Sequence, residues 1–180
     1  MIYNDITINT SNLKAFTLSD NSAIIGATYY DKDSNPCIPK IIFNADPSKS
    51  NANKLNHELI KRNNGIIANL VISGLYLDYE GDEINFAPIL NNNGVIFGVD
   101  FENLYVWASN VRTQMVAAIA VRNNGIIDNC DLTFNLKCLG GHSFSVCSAD
   151  IKAYTLINVI SGAYSSSGNY TPKNTCFYVV

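Results

Sequence analysis

The triplet Asn-Asn-Gly returns three times in this chain at a nearly fixed interval. The triplet glycines are 29 and 31 residues apart, and an apolar stretch follows each of them. A fixed period of roughly 20–50 residues is typical of architectures in which similar units stack on one another. The copies are Asn63-Asn64-Gly65, Asn92-Asn93-Gly94 and Asn123-Asn124-Gly125.

Apolar residues recur at matching positions after each glycine. They stand two, five, seven and eleven residues downstream, and a spacing of two is the period of a β-strand, whereas a helix would space them by three and four. The segments are rich in Ile, Val, Phe and Tyr, which suit a pleated surface. The aligned sets are Ile67, Ile96 and Ile127; Leu70, Val99 and Cys130; Ile72, Phe101 and Leu132; and Tyr76, Tyr105 and Leu136.

The triplets themselves predict corners, for which two interpretations compete. Gly reaches left-handed backbone angles freely and Asn tolerates them, so Asn-Gly is a strong hairpin signal. In a stacked coil the same residues would turn each corner, and their Asn side chains would form hydrogen-bonded ladders from coil to coil. A hairpin protein predicts no period of about 30 residues, so the repeat favours a parallel coil. The predicted structural corners are Gly65, Gly94, Gly125, Asn64, Asn93 and Asn124.

The third copy resembles a known repeat. The segment Gly125 to Cys130, with Ala118 to Asn124 before it, is similar to the GLUG motif, Gly-Leu-Val-Gly-Tyr-Asn-x-Gly-x-Ile-x-Asn-Cys, of bacterial surface and adhesin-like β-solenoids. The other copies match less closely, and Gly98 stands where the motif has Asn. The resemblance covers roughly residues 58–138. It implies a right-handed parallel β-helix and brings no catalytic residues with it.

These patterns together predict an all-β chain. We expect a short right-handed parallel β-helix of about four coils of ~30 residues, with the coils and a C-terminal strand in residues 58–180. The fourth coil, Phe144 to Ser161, lacks the triplet, as an atypical terminal repeat would. The closing strand is predicted at Thr175 to Val180.

Residues 1–57 are predicted to form an N-terminal β-rich cap with one short helix. Short β-branched and apolar runs, broken by Asn, Asp, Ser and Pro, indicate several strands up to Phe43. Asp46 and Pro47 then resemble the N-cap and first position of a helix. Leu55, Leu59 and Ile60 would share one face of a helix that covers the end of the coil stack.

Composition and charge limit the classes of partner that this chain is expected to bind. A net charge of −3 and the absence of a basic run argue against nucleic acid. The longest apolar run, Met115 to Val121, is far shorter than the ~20 residues that span a bilayer. The N-terminus shows no secretory signal pattern, so we expect synthesis in the cytoplasm. The five cysteines form no metal-binding spacing, which predicts free thiols and no cofactor.

Two groups of carboxylates are candidates for chemistry. Asp100 and Asp131 stand six residues after their glycines and would lie on adjacent coils, pointing outward. Such a pair can bind Ca²⁺ or cleave a glycosidic bond, although solvated surface charge is the simpler interpretation. A second acidic cluster surrounds Gly81, in a segment predicted to join two coils. The weak Ca²⁺ candidates are Asp78, Glu80, Asp82, Asp100 and Asp131.

Aromatic residues are the stronger functional signal. Tyr76, Tyr79, Tyr105 and Trp107 fall within the predicted coils. They could form an interior aromatic stack, anchor a protein interface or stack on sugar rings. Tyr76 and Tyr105 occupy equivalent repeat positions and are expected to form a stacked pair.

Function is expected to be structural rather than enzymatic. An Asn-rich solenoid without a catalytic constellation favours an assembly protein, such as a phage or phage-derived tail, baseplate or decoration component, carried by the virion. Its partners would be copies of itself and other assembly proteins. The alternative is a surface module that binds carbohydrate or a receptor. A second alternative is a polysaccharide lyase or hydrolase that uses Asp100 and Asp131.

Overall fold

The computed structural model describes residues 1–45, 53–79, 85–108, 115–138, 143–151 and 155–166. For residues 115, 138, 143–151 and 155–166 only the backbone is described. The predicted helix start at Asp46 and Pro47 and the predicted closing strand from Thr175 to Val180 lie outside these residues.

The regular secondary structure of the described chain is almost entirely β-strand. Beyond the strands, it contains a single 3₁₀ turn at Thr10–Asn12. No helix in the described part is long and apolar enough to cross a membrane. The strands are β1 (Ile6–Thr7), β2 (Phe16–Leu18), β3 (Ala23–Ile25), β4 (Tyr29–Tyr30), β5 (Pro36–Cys37), β6 (Lys40–Ile42), β7 (Ile60–Asn63), β8 (Ile66–Ser73), β9 (Tyr76–Tyr79), β10 (Asn85–Phe86), β11 (Ile89–Asn92), β12 (Val95–Ala108), β13 (Met115–Asn123), β14 (Ile126–Cys138), β15 (Ser143–Ile151) and β16 (Thr155–Ser166).

Two parallel sheets carry the repeats. In the first sheet β8, β12, β14 and β16 are successive neighbours, with β3 and β6 beside β8 and β9 beside β12. In the second sheet β2, β7, β11 and β13 are successive neighbours, and β10 and β15 also pair with β13. Each Asn-Asn-Gly triplet stands where the chain leaves a strand of the second sheet and enters one of the first. All of these pairings are parallel, so the hairpin interpretation of the triplets is wrong.

Register follows the repeat for the first three aligned positions. Ile96 faces both Ile67 and Ile127, and Phe101 faces both Ile72 and Leu132, as predicted. Val99 faces Leu70.

The fourth aligned set is wrong by one residue. Tyr105 pairs with Tyr76 on one side but with Asn135 on the other, and Leu136 faces Val106. The cause is a bulge in β12 after Phe101, which gives this strand one residue more than β14.

The N-terminal strands extend the same two sheets. β2 pairs with the first repeat strand of one sheet, and β3 and β6 pair with β8 in the other. Leu18 and Phe43 belong to the same core cluster as the repeat residues. Between β3 and β6 the chain makes the small antiparallel hairpin β4–β5.

The segment predicted as a fourth repeat, Phe144 to Ser161, falls in two strands that each extend one of the two sheets. β15 pairs in parallel with β13, and β16 pairs in parallel with β14.

The predicted helix is wrong for its described part. Leu55 forms an isolated parallel bridge with Leu77, and Ile60 begins β7. Leu55, Leu59 and Ile60 are all buried in the core. Their spacing fits one helical face, but pairing with the adjacent strand edge satisfies their backbone groups and buries the same side chains.

Candidate functional site

The first Asn of each triplet forms a buried ladder. Asn63 donates from Nδ2 to Oδ1 of Asn92 at 2.7 Å, and Asn92 donates to Oδ1 of Asn123 at 2.8 Å. All three residues are 0% exposed. Their side-chain oxygens also bind the backbone of the corner, since the N–H groups of Gly65 and Gly125 donate to Oδ1 of Asn63 and of Asn123. We call Asn63, Asn92 and Asn123 the inner ladder.

The second Asn of each triplet forms a parallel ladder at the surface. Asn93 donates to Asn64 at 2.9 Å, and Asn124 donates to Asn93 at 3.1 Å. We call Asn64, Asn93 and Asn124 the outer ladder. The expectation that the Asn side chains of successive triplets form hydrogen-bonded ladders is therefore confirmed.

The triplet glycines are required for a different reason than the one expected. None of them has a positive φ. Instead, a Cβ at Gly94 would lie 2.0 Å from the carbonyl oxygen of Gly65, and a Cβ at Gly125 would lie 2.0 Å from that of Gly94. The corners therefore stack so closely that no side chain fits between them.

The left-handed position comes four residues later. Asn69, Gly98 and Asn129 have φ of 52, 58 and 52°. Gly and Asn are the residues that adopt this conformation most readily. Gly98 stands where the repeat pattern has Asn, and it keeps the same left-handed backbone conformation.

An apolar stripe lies between the outer ladder and this left-handed row. Ile66, Phe97 and Ile126 are 43%, 47% and 41% exposed, and Val95 is partly exposed. Val95 is in register with both Ile66 and Ile126, so these side chains lie on three neighbouring strands. We call Ile66, Val95, Phe97 and Ile126 the apolar stripe. Single exposed apolar residues are common, but a contiguous set usually marks an interaction surface.

The structure places Asp100 and Asp131 on neighbouring strands, half-buried, as the repeat predicted. Burial raises the pKa of Asp100 above its ordinary 3.8, the negative charge of Asp131 raises it further, and the Asp131 backbone N–H opposes both by favouring the charged form. Two residues along β12, Glu102 pairs with Lys40 at 2.9 Å. Among the described residues, no group of three or more His, Cys, Asp or Glu side chains could hold a metal ion.

Asp78 lies apart from this carboxylate pair. It is 8% exposed, accepts a hydrogen bond from the Tyr76 hydroxyl at 3.1 Å and forms an ion pair with Lys54 at 3.1 Å. Its register partner is Trp107, seven residues from Asp100 along β12. Asp78 therefore contacts a lysine and a phenol and does not join Asp100 and Asp131 in one site. Glu80 and Asp82 lie outside the described residues.

Three of the four aromatic candidates form one cluster. Tyr76 contacts Trp107 and Tyr105 edge-on, with ring centroids 5.0 and 6.1 Å apart, and Tyr105 is 6.4 Å from Trp107. The expected stacking of Tyr76 on Tyr105 is therefore wrong, because the two ring planes meet at 77°. Trp107 donates from Nε1 to Asn135 at 3.2 Å, and Lys137 Nζ lies 4.7 Å from its ring centroid. We call Tyr76, Tyr105 and Trp107 the aromatic cluster. Tyr76 is buried, whereas Tyr105 and Trp107 are partly exposed.

Tyr79 belongs to the interior instead. It stacks on Phe86 with ring centroids 4.9 Å apart and packs against the hydrophobic core. The interior interpretation of the aromatics therefore holds for Tyr79. The three residues of the aromatic cluster alternate along their strands with core residues and lie on the opposite, outward face of the sheet.

Cys130 is a packing residue, as expected from its repeat position. It is 1% exposed and has a free thiol. Burial raises its pKa to about 12, so the thiolate that would act as nucleophile or ligand is absent at neutral pH. Cys37 is also a free thiol.

The apolar stripe is the surface that the sequence did not single out. Ile66 and Ile126 immediately follow their glycines, and strand alternation with the buried Ile67 and Ile127 directs them outward. That alternation was the available signal.

Comparisons of this chain with protein-family models, with curated proteins and with solved structures found no match.

Proposed function

We propose that this chain winds as a short right-handed parallel β-helix and acts as a non-enzymatic structural module. The winding is supported by parallel partners about one repeat apart in both sheets and by inner and outer ladders at one corner. Right-handedness is the usual sense of connections between parallel strands. About four coils, each rising ~4.8 Å along the helix axis, would make a short β-helix rather than a long fibre.

The apolar stripe carries the functional part of this proposal. It exposes Ile66 and Ile126, which are in register with Val95, and Phe97, which lies two residues further along β12 on the same sheet face. Full burial of an exposed side chain of this kind is worth about 1.5–3 kcal/mol. Because Ile66, Phe97 and Ile126 are already more than half buried, covering each of them would add about half of that value. A second copy of the chain offers the same flat stripe, so two copies can cover each other by a two-fold contact.

Three side chains of chemically reactive types have structural surroundings. Asp78 is held by Tyr76 and Lys54, Glu102 by Lys40, and Cys130 is buried. These contacts favour a structural role for these three residues, and the lyase or hydrolase alternative rests on Asp100 and Asp131 alone. Membership of a phage tail, baseplate or decoration layer stays a prediction from the sequence, as do assembly partners other than a second copy.

Sedimentation velocity over a range of protein concentrations tests the assembly role. We expect the wild-type chain to form oligomers and Phe97→Lys to shift it to the monomer, because a charge would be buried in the stripe contact. Tyr30→Lys is the matched control, since Tyr30 is 71% exposed in the β4–β5 hairpin, away from the stripe.

A wild-type chain that stays monomeric at every concentration would reject self-assembly through this face. Equal loss of oligomers in the Tyr30→Lys and Phe97→Lys variants would also reject it, because the effect would then be one of charge in general.

A further inference from the structure

A groove crosses three neighbouring strand segments on the first sheet, beyond the bulge in β12. It encloses about 340 Å³, and its lining includes Ile42, Asn44, Ser73, Gly74, Asn103 and Tyr105. Three of these residues have left-handed backbones, with φ of 50° at Asn44, 66° at Gly74 and 53° at Asn103. The chain therefore turns at the same place in three successive layers.

Gly74 lines the groove and places no side chain in it. Gly74 lies between Asn44 and Asn103, because the Ala45 N–H donates to Gly74 and the Gly74 N–H donates to Glu102. A Cβ at Gly74 would meet its nearest neighbour, the backbone nitrogen of Asn44, at an ordinary 3.5 Å. Packing therefore leaves space for a side chain between the two asparagines, and the left-handed backbone at Gly74 restricts the choice to residues that tolerate a positive φ.

The polar side chains of the groove have unused hydrogen-bonding capacity. Asn44, Ser73 and Asn103 make no side-chain hydrogen bond in the part of the chain that the structure describes. The corner asparagines differ sharply, since the inner and outer ladders use their amides from coil to coil. Each groove amide can donate two hydrogen bonds and accept two.

Tyr105 supplies an aromatic wall that its neighbours hold in place. Tyr76 and Trp107 pack edge-on against its ring, and Trp107 is fixed in turn by Asn135 and Lys137. The Tyr105 hydroxyl has no hydrogen-bond partner in the described residues. A ring positioned in this way loses little conformational entropy when a ligand covers it.

The chemistry of the lining selects the ligand. Its residues are amides, a hydroxyl, a phenol and small apolar groups, and none of them is charged. A pyranose ring matches this combination, because its C–H face packs on an aromatic ring and its hydroxyls pair with amides. The volume lies at the small end of the ~300–1,000 Å³ typical of ligand sites. We propose that this groove binds one or two units of a neutral saccharide.

Isothermal titration of the intact chain with neutral disaccharides (cellobiose, maltose, lactose and N,N′-diacetylchitobiose) tests this site. At least one of them should bind in the millimolar range or tighter. Tyr105→Ala should weaken that binding by about tenfold or more, equivalent to about 1.4 kcal/mol. Tyr105→Phe, which keeps the ring, should bind within a few-fold of the wild type.

Gly74→Asn is the decisive variant. Asn tolerates a left-handed backbone, so the fold is kept while the new side chain fills the groove. We expect it to abolish binding. Gly98→Asn is the matched control, because it introduces the same residue at another left-handed position, in the row beside the apolar stripe.

Two results would overturn the proposal. One is that none of the four disaccharides binds at millimolar concentration. The other is that Gly74→Asn binds as tightly as the wild type. Both readouts are independent of oligomer formation through the apolar stripe, so failure here and failure of the assembly role can be told apart.

Discussion

Adjacent asparagines in one triplet are expected to differ greatly in their effect on stability. Asn92→Ala removes the central amide of the inner ladder, so in the buried interior Asn63 Nδ2 loses its 2.7 Å acceptor and Asn123 Oδ1 loses its 2.8 Å donor. Asn63 Nδ2 keeps only a 3.5 Å contact with the Val95 carbonyl oxygen, and Asn123 Oδ1 keeps the Gly125 N–H. Because weakening buried hydrogen bonds costs about 1–3 kcal/mol, we expect a loss of that size in the free energy of unfolding. Urea denaturation measures it.

Asn93→Ala, in the outer ladder, is the matched control. Asn93 is exposed, so water can replace its bonds to Asn64 and Asn124. Its loss should stay below about 1 kcal/mol. Equal losses for the two variants would show that burial of the inner ladder does not matter to stability.

Glycines of two kinds should respond differently to substitution. At Gly94 a methyl group would meet the Gly65 carbonyl oxygen, which belongs to backbone and cannot move aside, so Gly94→Ala should cost more than about 2 kcal/mol. At Gly98 a Cβ would have its nearest neighbour at 3.8 Å, and Asn occupies the equivalent positions 69 and 129. Gly98→Asn should therefore change stability by less than about 1 kcal/mol.

Thermal and urea unfolding of both variants check this difference. A well-tolerated Gly94→Ala would contradict close stacking of the corners. A severe loss in Gly98→Asn would contradict the left-handed backbone at that position.

Individual residues also show how far a sequence can lead. The repeat placed Ile67, Ile96 and Ile127 correctly, because a buried position with a two-residue period leaves little freedom. It gave the wrong reason for the triplet glycines, since the approach of another corner is a tertiary contact that the local sequence does not contain. It matched Tyr105 to Leu136 because a one-residue bulge leaves no strong mark in the pattern.

Among the strands, β12 carries the carboxylate whose titration should be visible in stability. Burial and then the charge of Asp131 raise the pKa of Asp100 above 3.8, so between 3.8 and that higher value the folded chain binds more protons than the unfolded chain. The contribution of Asp100 to the free energy of unfolding therefore falls as the pH rises through this window. At neutral pH its charge is a net cost.

Asp100→Asn should accordingly raise the urea midpoint at neutral pH. The gain should shrink as the pH is lowered towards 3.8, because the wild-type carboxyl then becomes neutral as well. Asp20→Asn, at an exposed turn position, is the control for a simple change in net charge. A gain that is equal for both variants, or independent of pH, would rule out a specific cost of burying Asp100.

Elements also mark where sequence patterns become ambiguous. Leu55, Leu59 and Ile60 have the spacing of an amphipathic helix, yet Leu55 bridges Leu77 and Ile60 lies in a strand. A spacing of four positions, as between Leu55 and Leu59, fits one turn of a helix. The same spacing also places two side chains on one face of an irregular extended segment. An available strand edge decides between the two, and only the assembled fold supplies that edge.

At the scale of the whole molecule, one sheet carries two surfaces of opposite character. The apolar stripe precedes the left-handed row of Asn69, Gly98 and Asn129, and the neutral polar groove follows the bulge in β12. Because the strands are parallel and in register, an outward-facing position recurs on each neighbouring strand. A few residue changes per repeat are therefore enough to give a sheet face a distinct chemical character. The sequence indicated the aromatic part of the groove but not its asparagines, which look like ordinary turn residues.

The proposed stacking of coils predicts which pairs of corner residues are close enough to be joined by a disulfide. Asn93 and Asn124 should occupy neighbouring coils, with Cα atoms about 4.8 Å apart, within the range a disulfide can bridge. Oxidation of the Asn93→Cys/Asn124→Cys double variant should therefore join tryptic peptides 63–112 and 123–137, detected by mass spectrometry.

The Asn64→Cys/Asn124→Cys variant places its thiols on the same two peptides but two coils apart, at about 9.6 Å, which is beyond that range. It should stay reduced under the same oxidant, and fragment masses distinguish the introduced cysteines from the buried Cys130. Equal cross-linking of both pairs would mean that the corners are mobile relative to one another. Cross-linking of the distant pair alone would place the coils in a different order and remove the basis for the shared stripe and groove.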